Sequence, residues 1–281
     1  MLPFINIFGI QIPMYGLCMS LAIALALVVS CVRARRRGRS WDDLITIALF
    51  AIVCGLVGAK LLYICVTYSP KEIIGCLRTE GISFIINAGL VFYGGLIFGV
   101  AGAFLGAAIA KRPLSDYSDA VVPTLPLAHA IGRLGCFFSG CCYGRVTDSW
   151  IGMRFPHSVS GLSPEVSVIP TQLIESGANI LVFLFLLWFT RKQRKGFTSL
   201  FVYLMIYAVE RFLIEFLRGD EIRGIFGAFS TSQWISIALF ILGALGLALT
   251  NAYYKKHPEA LLRNMPEELV FEDAAEGVGE E

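Results

Sequence analysis

Seven apolar stretches occupy most of the sequence, and each is long enough to cross a bilayer. They are Ile12–Val32, Leu44–Val66, Ala88–Ala110, Ser115–Phe138, Thr171–Thr190, Phe197–Leu217 and Thr231–Tyr254. As a helix, each covers the ~30 Å hydrocarbon core. Because a backbone in lipid must satisfy its own hydrogen bonds, the pattern predicts an all-α integral membrane protein with seven transmembrane helices.

The composition supports a membrane protein and excludes other classes. Hydrophobic residues make up 56% of the 281 residues and charged residues only 16%, which lies outside the usual soluble balance. The net charge is +2, and the positive residues form short clusters between apolar stretches. Such clusters are topology signals that face anionic lipid, so membrane lipid is a predicted partner and nucleic acid is not. The N-terminus lacks the basic start of a cleavable signal peptide.

The basic clusters also predict an orientation. Arg33–Arg39, Lys111–Arg112, Arg191–Lys195 and Lys255–Lys256 alternate with loops that are poorer in Lys and Arg. The positive-inside rule then places the N-terminus outside and the C-terminus in the cytoplasm. The predicted domains are a transmembrane domain over 1–256 and an acidic, disordered cytoplasmic tail over 257–281. An outer loop over 68–87 with a short interfacial helix, and a small extracytoplasmic head over 142–170, complete this prediction.

The stretch Gly132–Gly144, with sequence GRLGCFFSGCCYG, concentrates the chemistry of the chain. Its glycines allow close backbone approach to a ligand, and Arg133 offers a planar fork suited to a phosphate. A phosphorylated ligand is therefore one interpretation. The other is a Gly-rich turn at a helix end, with Arg133 reaching to the membrane interface.

Several polar residues lie inside the apolar stretches, where they are costly. Lys60 is a functional candidate for that reason alone. His129 and Arg133 share one helical face, and Arg211 and Glu215 share another. In the predicted topology these groups fall in the outer half of the bundle together with Tyr15, Tyr93, the clustered thiols and Glu175. Two arginines at that depth predict a bound anion, such as a phospholipid phosphate. The alternative is structural neutralisation, of Arg211 by Glu215 and of Arg133 by Asp119 or Glu175.

These residues also carry a resemblance to a known family. GRLGCFFSGCCYG resembles the signature of the prolipoprotein diacylglyceryl transferases, whose pattern is roughly GRxGNFxNGExxG. Segments in the same order along nearly the whole chain resemble the family too: PMYGL, GLVGAKLLY, GLVFYGGLIFG, PTQLIES, RFLIEFLRGD and STSQWIS. The resemblance implies seven membrane helices in the bacterial plasma membrane. It also implies transfer of the diacylglyceryl group of phosphatidylglycerol to the lipobox cysteine thiol of a prolipoprotein signal peptide, with release of glycerol phosphate.

The resemblance assigns candidate site residues by position. Some retain the family residue type: Tyr15, Asp119, Arg133, Gly144, Arg211 and Glu215. Others depart from it. Cys136 and Ser139 replace the two signature asparagines, and Cys141 replaces the glutamate. Tyr93, followed by Gly94 and Gly95, stands where the family has the histidine of an HGG motif. Arg133, Arg211, His129 and Tyr93 are the predicted catalytic residues, and the others are predicted to bind substrate.

The predicted reaction needs an anion clamp, a thiolate and a dry pocket for acyl chains. Arg133 and Arg211 can form the clamp and favour a nearby thiolate. With the family histidine absent, His129 is the favoured base, and Tyr93 is a hydrogen-bond donor.

The thiols Cys136, Cys141 and Cys142 leave three interpretations open: a disulfide from Cys136 to either of the others, covalent acylation of one of them, or small filler in a changed site. They lack the CxxC pairs of a zinc site, so no metal or cofactor is predicted.

Two rival functions stay open at this stage. One is a diverged enzyme that moves a glyceryl or acyl group to another acceptor. The other is a non-catalytic lipid-binding membrane protein that keeps the fold.

Overall fold

The computed structural model describes residues 3–7, 9–192, 194–218, 225–227 and 229–257, and the chain is mainly helical in these ranges. They contain the helices α1 (Met14–Arg35), α2 (Trp41–Thr67), α3 (Pro70–Glu80), α4 (Ile82–Asn87), α5 (Phe92–Ala110), α6 (Ser115–Val121), α7 (Thr124–Ser139), α8 (Thr171–Phe189), α9 (Thr198–Glu215) and α10 (Thr231–Lys256). Short antiparallel pairs join β1 (Phe4–Ile7) to β2 (Ile10–Pro13), β3 (Met153–Arg154) to β4 (Ser167–Val168), and β5 (Ile225–Phe226) to β6 (Phe229–Ser230). The predicted helical class is confirmed, while the predicted tail lies outside the described residues from 258 onward.

Within the described residues, five helices are long and apolar enough to cross a membrane, namely α1, α2, α5, α8 and α10. Together α6 and α7 form a sixth if counted as one span, bent by 44° at a short break. Pro123 lies in that break, and proline has no backbone N–H to continue a helix, which accounts for the break. Helix α9 has 18 residues but carries Glu210, Arg211 and Glu215. The protein is a multi-pass membrane protein, while seven spans, their orientation and the domain boundary at 256 stay predictions.

Large apolar side chains cover the outside of these helices. Val28 in α1 is 59% exposed, Leu49 in α2 57% and Leu249 in α10 70%. Continuous faces of this kind are unfavourable in water and match lipid acyl chains. By contrast, Gln172 and Asn179 of α8 have no exposed surface. The polar groups therefore lie inside the helix packing, as expected when the surroundings are apolar.

The chain packs as two compact units. One runs to Arg33 and resumes at Ser118, and the other is Ala34–Tyr117. In the first unit α8 packs against both α7 and α9, and α9 packs against α10. The Ser176 hydroxyl of α8 donates to the Ala130 carbonyl of α7 at 3.0 Å, which holds these two helices in register.

In the second unit, glycines let α2 and α5 meet backbone to backbone. A Cβ added at Gly102 would lie 2.7 Å from the Cβ of Cys54, and one at Gly106 would lie 2.8 Å from the Cα of Ile47. A Cβ at Gly94 would overlap the carbonyl oxygen of Gly58. Close packing of this type is characteristic of small residues in membrane helices.

Lys60 has a structural role in the second unit. Its Nζ donates to the carbonyls of Ile85, Ile86 and Ala88 at 3.2, 2.7 and 3.0 Å. These carbonyls lie at the end of α4, where helical groups lack partners within the helix. A cation there also complements the negative end of the helix dipole. The contacts explain why a lysine is retained in an apolar helix.

Candidate functional site

The end of α7 folds the signature stretch back on itself. Gly140 has φ +66° and ψ +35° and ends the helix. Its N–H donates to the Phe137 carbonyl at 3.2 Å, and the N–H of Cys141 donates to the Cys136 carbonyl at 3.1 Å. These two bonds form a Schellman motif, which brings the fourth-last residue of the helix into contact with the second residue beyond the helix. Those residues are Cys136 and Cys141, so a spacing of five brings the two thiols together.

Buried side chains of α8 hold the next two residues in place. Cys142 has φ +60°, a left-handed conformation that is uncommon for a residue with a side chain. The amide of Gln172 donates to the Cys141 carbonyl at 2.7 Å, and the hydroxyl of Thr171 donates to the Cys142 carbonyl at 2.9 Å. Neither Gln172 nor Thr171 has exposed surface. The start of α8 therefore fixes the backbone that carries Cys141 and Cys142.

Gly144 follows in a crowded position. Its N–H donates to the Ile169 carbonyl at 2.8 Å. A Cβ there would lie 2.5 Å from the Leu217 carbonyl oxygen and 2.8 Å from the Thr171 methyl. Only glycine fits without displacing the backbone that follows α9.

The three thiols form one cluster. The Sγ atoms of Cys136, Cys141 and Cys142 all lie within 4.8 Å of one another. Each thiol is free and only partly buried. The disulfide interpretation is therefore wrong for this structure.

Three helices or their ends bring charges together around Glu175. Arg133 of α7 pairs with the Glu175 carboxylate, and the Arg218 guanidinium lies 3.6 Å from its other oxygen. The side chains of Glu175 and Arg218 are each 3% exposed, and that of Arg133 is 15% exposed. One buried carboxylate thus faces two arginines. The structural alternative for Arg133 is confirmed with Glu175 as the partner and is wrong for Asp119.

A second arginine pair lies on α9. Arg211 Nη2 is 2.9 Å from Glu215 Oε2 and donates to the Ser232 hydroxyl at 3.0 Å. The Ser230 hydroxyl donates to the other Glu215 oxygen at 2.8 Å. The predicted neutralisation of Arg211 by Glu215 is confirmed, and the first turn of α10 supports it.

His129 and a further carboxylate extend the cluster. Arg133 Nε donates to His129 Nε2 at 3.2 Å, so that nitrogen acts as an acceptor. The His129 ring lies 5.8 Å from that of Tyr207. Asn179 donates to Glu210 at 2.6 Å. Buried polar groups therefore line α7, α8 and α9 along facing surfaces.

Tyr15 lies against the signature helix. A Cβ at Gly135 would be 3.4 Å from the Tyr15 Cα and 3.0 Å from the Cys18 Cβ. Glycine at 135 therefore lets the first turn of α1 approach α7. Tyr15 is 46% exposed, so part of the residue is accessible to a ligand.

Other predicted site residues lie elsewhere. Asp119 is 4% exposed, and its carboxylate accepts from the Arg194 N–H at 2.7 Å. The Asp119 carbonyl accepts from Arg33 at 2.7 Å. Asp119 therefore joins the end of α1 to the segment between α8 and α9, at the end of these helices opposite the thiols. Ser139 is 6% exposed, and its carbonyl accepts from the Val159 N–H at 3.0 Å.

Tyr93, Gly94 and Gly95 belong to the second unit. Tyr93 is 50% exposed and stacks edge-on with Phe92. The two glycines pack against α2, where a Cβ at Gly95 would lie 3.6 Å from the Cβ of Ala59. Their predicted roles at the site stay predictions.

A family model described as prolipoprotein diacylglyceryl transferase matches residues 3–249. The chain belongs to this family. A relative in Clostridium tetani, named phosphatidylglycerol--prolipoprotein diacylglyceryl transferase, is 36% identical over 238 residues, which cover 85% of this chain and 93% of the relative. A Clostridium perfringens relative, named as transferase 2, is 36% identical over 242 residues, covering 85% and 91%. A Clostridioides difficile relative with the transferase name is 31% identical over 254 residues, covering 89% and 94%.

The transferase chain contains site residues that the sequence analysis did not single out. Arg218 and Glu210 were missed, and Glu175 was named among the polar groups of the outer half and as a partner of Arg133, with no role in binding or catalysis. A signal was available for Arg218 and for Glu175. Arg211, Glu215 and Arg218 follow one helical face, and so do the polar side chains of α8 from Gln172 to Asn179. A polar stripe inside an apolar helix indicates a shared buried site.

Proposed function

We propose that the protein transfers the diacylglyceryl group of phosphatidylglycerol to the lipobox cysteine thiol of prolipoproteins. The names of the relatives support this reaction. The observation that carries the proposal is the buried group of Arg133, Glu175 and Arg218 beside three free thiols. It combines an anion site with a region suited to sulfur chemistry.

The arginines bind the phosphate of the lipid. Arginine recognises phosphate through paired N–H donors. In the structure the carboxylate of Glu175 pairs with Arg133 and Arg218 and neutralises one of their two positive charges, and Glu215 neutralises Arg211. The lipid phosphate competes with these carboxylates for the same donors. Arg133 and Arg211 then stabilise the charge that grows on the departing phosphate.

The reaction exchanges one bond to carbon for another. The acceptor thiolate attacks the glyceryl carbon that carries the phosphate, and a C–S bond forms as the C–O bond breaks. The electron pair leaves with glycerol phosphate. The thiol proton goes to a base, for which His129 is our assignment because its Nε2 carries a lone pair. Arg133 donates to that nitrogen in the structure and releases it when it turns to the lipid phosphate. Tyr93 acts as a hydrogen-bond donor to substrate.

The same proposal includes the finer topology. Seven spans with the N-terminus outside and the C-terminus in the cytoplasm put the signature in the outer half of the plasma membrane. Phosphatidylglycerol then enters from the outer leaflet, and the signal peptide of the prolipoprotein enters between helices. Residues 142–170 form the extracytoplasmic head above the site.

Complementation tests the proposal. The chain is expressed in bacteria depleted of their own transferase, and lipidation of a reporter precursor is followed by its change in electrophoretic mobility. We expect rescue by the natural sequence and loss of rescue by Arg133→Ala and Arg211→Ala. Arg154→Ala removes an exposed arginine of the head and serves as the matched control, which should rescue.

His129→Ala tests the base, and we expect at least a hundredfold slower lipidation. Unchanged turnover would place the base elsewhere. If the natural sequence is expressed and inserted but lipidates no precursor, the proposed acceptor is wrong, and transfer to another acceptor or a binding role takes its place.

A further inference from the structure

A small rotation of the three cysteine side chains would give their sulfurs the spacing that a tetrahedrally coordinated metal ion requires. Zn–S bonds of about 2.3 Å place thiolate sulfurs roughly 3.8 Å apart. The Sγ atoms of Cys136, Cys141 and Cys142 already lie within 4.8 Å of one another. Rotation about the side-chain bonds can close a difference of about 1 Å without moving the backbone.

The backbone that carries the thiols is held for this arrangement. The Schellman motif fixes Cys141 against Cys136. Cys142 keeps a left-handed conformation, and such strain persists where the surroundings impose it and is common at functional sites. The imposing contacts are those of Gln172 and Thr171 to the two carbonyls. Supporting hydrogen bonds of this kind orient the ligands of metal sites.

The charges around the cluster suit a thiolate-bound dication. Three thiolates with one Zn²⁺ carry a net charge of −1. Arg133 and Arg218 act electrostatically on Cys142, while Glu175 neutralises one of their two positive charges. The sum over these groups is zero, which is favourable for a site surrounded by apolar helices.

The donor set is that of a reactive zinc site. Structural zinc sites close the coordination with four protein ligands, whereas catalytic sites use three and leave the fourth position open. Among the described residues the cluster supplies three ligands. The thiols are partly exposed, so a further ligand has access.

We propose that Cys136, Cys141 and Cys142 bind a zinc ion whose fourth position takes the acceptor thiol. This inference rests on the proposed function for the identity of that thiol. A thiol bound to zinc is deprotonated at neutral pH, and its proton passes to His129. The bound sulfur then attacks the glyceryl carbon, the C–O bond breaks, and glycerol phosphate leaves with the electron pair. The zinc keeps its charge throughout.

Metal analysis of the full chain tests the site. The chain is purified in detergent with a tag that binds no metal, and zinc is measured by mass spectrometry and X-ray absorption. We expect one zinc per chain with three sulfur ligands, rising to four when a peptide with a lipobox cysteine is added. Cys136→Ser, Cys141→Ser and Cys142→Ser should each weaken zinc binding at least tenfold. Cys65→Ser removes an exposed thiol elsewhere and should leave zinc unchanged.

Thr171→Val supplies a variant that keeps every ligand. It removes the hydrogen bond to Cys142, and we expect zinc affinity to fall about tenfold. Thermal unfolding in the same detergent verifies that each variant is folded. Zinc that survives substitution of all three cysteines, a zinc site without sulfur, or a disulfide within the cluster of the purified chain would overturn the inference.

The two proposals fail in different ways. Zinc binding without lipidation of any precursor would refute the proposed function and leave the metal site standing. Full lipidation after zinc removal by a chelator would refute the proposed binding of the acceptor thiol by zinc and leave the transferase function standing.

Discussion

Replacing Glu175 with glutamine should destabilise the protein more than removing either arginine beside it. The carboxylate is 3% exposed and faces both Arg133 and Arg218. Removing one partner of a buried ion pair costs about 3–5 kcal/mol, because an uncompensated charge stays behind. Glutamine keeps the shape but leaves two guanidiniums without their shared carboxylate. We therefore expect the upper part of that range, about 4–5 kcal/mol.

Arg133→Met should cost less. It leaves Glu175 with the Arg218 guanidinium at 3.6 Å, so the carboxylate keeps a partner. We expect about 2 kcal/mol, roughly half the cost of Glu175→Gln. The double variant should cost less than the sum of the two, since Arg133→Met removes one of the charges that Glu175→Gln exposes.

Unfolding in mixed micelles, followed by circular dichroism as a denaturing detergent is added, gives these free energies. Glu165→Gln, an exposed carboxylate in the head, is the matched control and should change stability by less than about 0.5 kcal/mol. Glycerol phosphate should restore part of the stability of Glu175→Gln, because a phosphate can replace the missing carboxylate between the arginines. A cost below about 1 kcal/mol for Glu175→Gln, or additive effects in the double variant, would refute the shared-carboxylate argument.

Three further predictions follow from close contacts elsewhere in the fold. Gly144→Ala places a methyl 2.5 Å from a backbone carbonyl oxygen and should lower the free energy of unfolding by about 1–3 kcal/mol in the same assay. The control Gly177→Ala lies in a helix with open space around it, and it should leave the free energy of unfolding unchanged or raise it by up to about 1 kcal/mol. Lys60→Met should increase hydrogen exchange at the end of α4 because three carbonyl contacts are lost, and exposed Lys71→Met should leave it unchanged. Gly140→Ala strains a left-handed residue by about 1–2 kcal/mol and should weaken zinc binding by separating the thiols; equal zinc affinity would contradict the role of the helix cap.

The positions of the helices could be predicted from the apolar stretches because five of the seven stretches are followed directly by an arginine or a lysine. The predicted second span, Leu44–Val66, lies within Trp41–Thr67, and the fourth stretch is covered by two helices with a short break at Pro123. Helix ends differed by a few residues, since hydrogen bonding continues into polar sequence. The helix α1, for example, extends to Arg35 in the basic cluster.

The site was only partly predictable. Periodicity along one helix identifies residues that share a face, as for Arg211 and Glu215, but it does not show which helices face each other. For that reason Glu175 was one of two candidate partners for Arg133, and Arg218 was missed. A zinc site at the three thiols was not predicted because CxxC pairs were lacking. A Schellman motif nevertheless brings side chains five residues apart into contact.

The glycine contacts between α2 and α5 limit how that helix pair can vary. At Gly94 or Gly102 even one added methyl meets backbone or a Cβ, so no side-chain rotation can relieve it. A substitution there must separate the helices along their length. The outward faces have no such restriction, and Leu49, Val53 and Leu56 are each at least half exposed. Spectroscopic labels or cross-linkers attached at those three positions would report on this unit from the lipid side while leaving its internal contact surface intact.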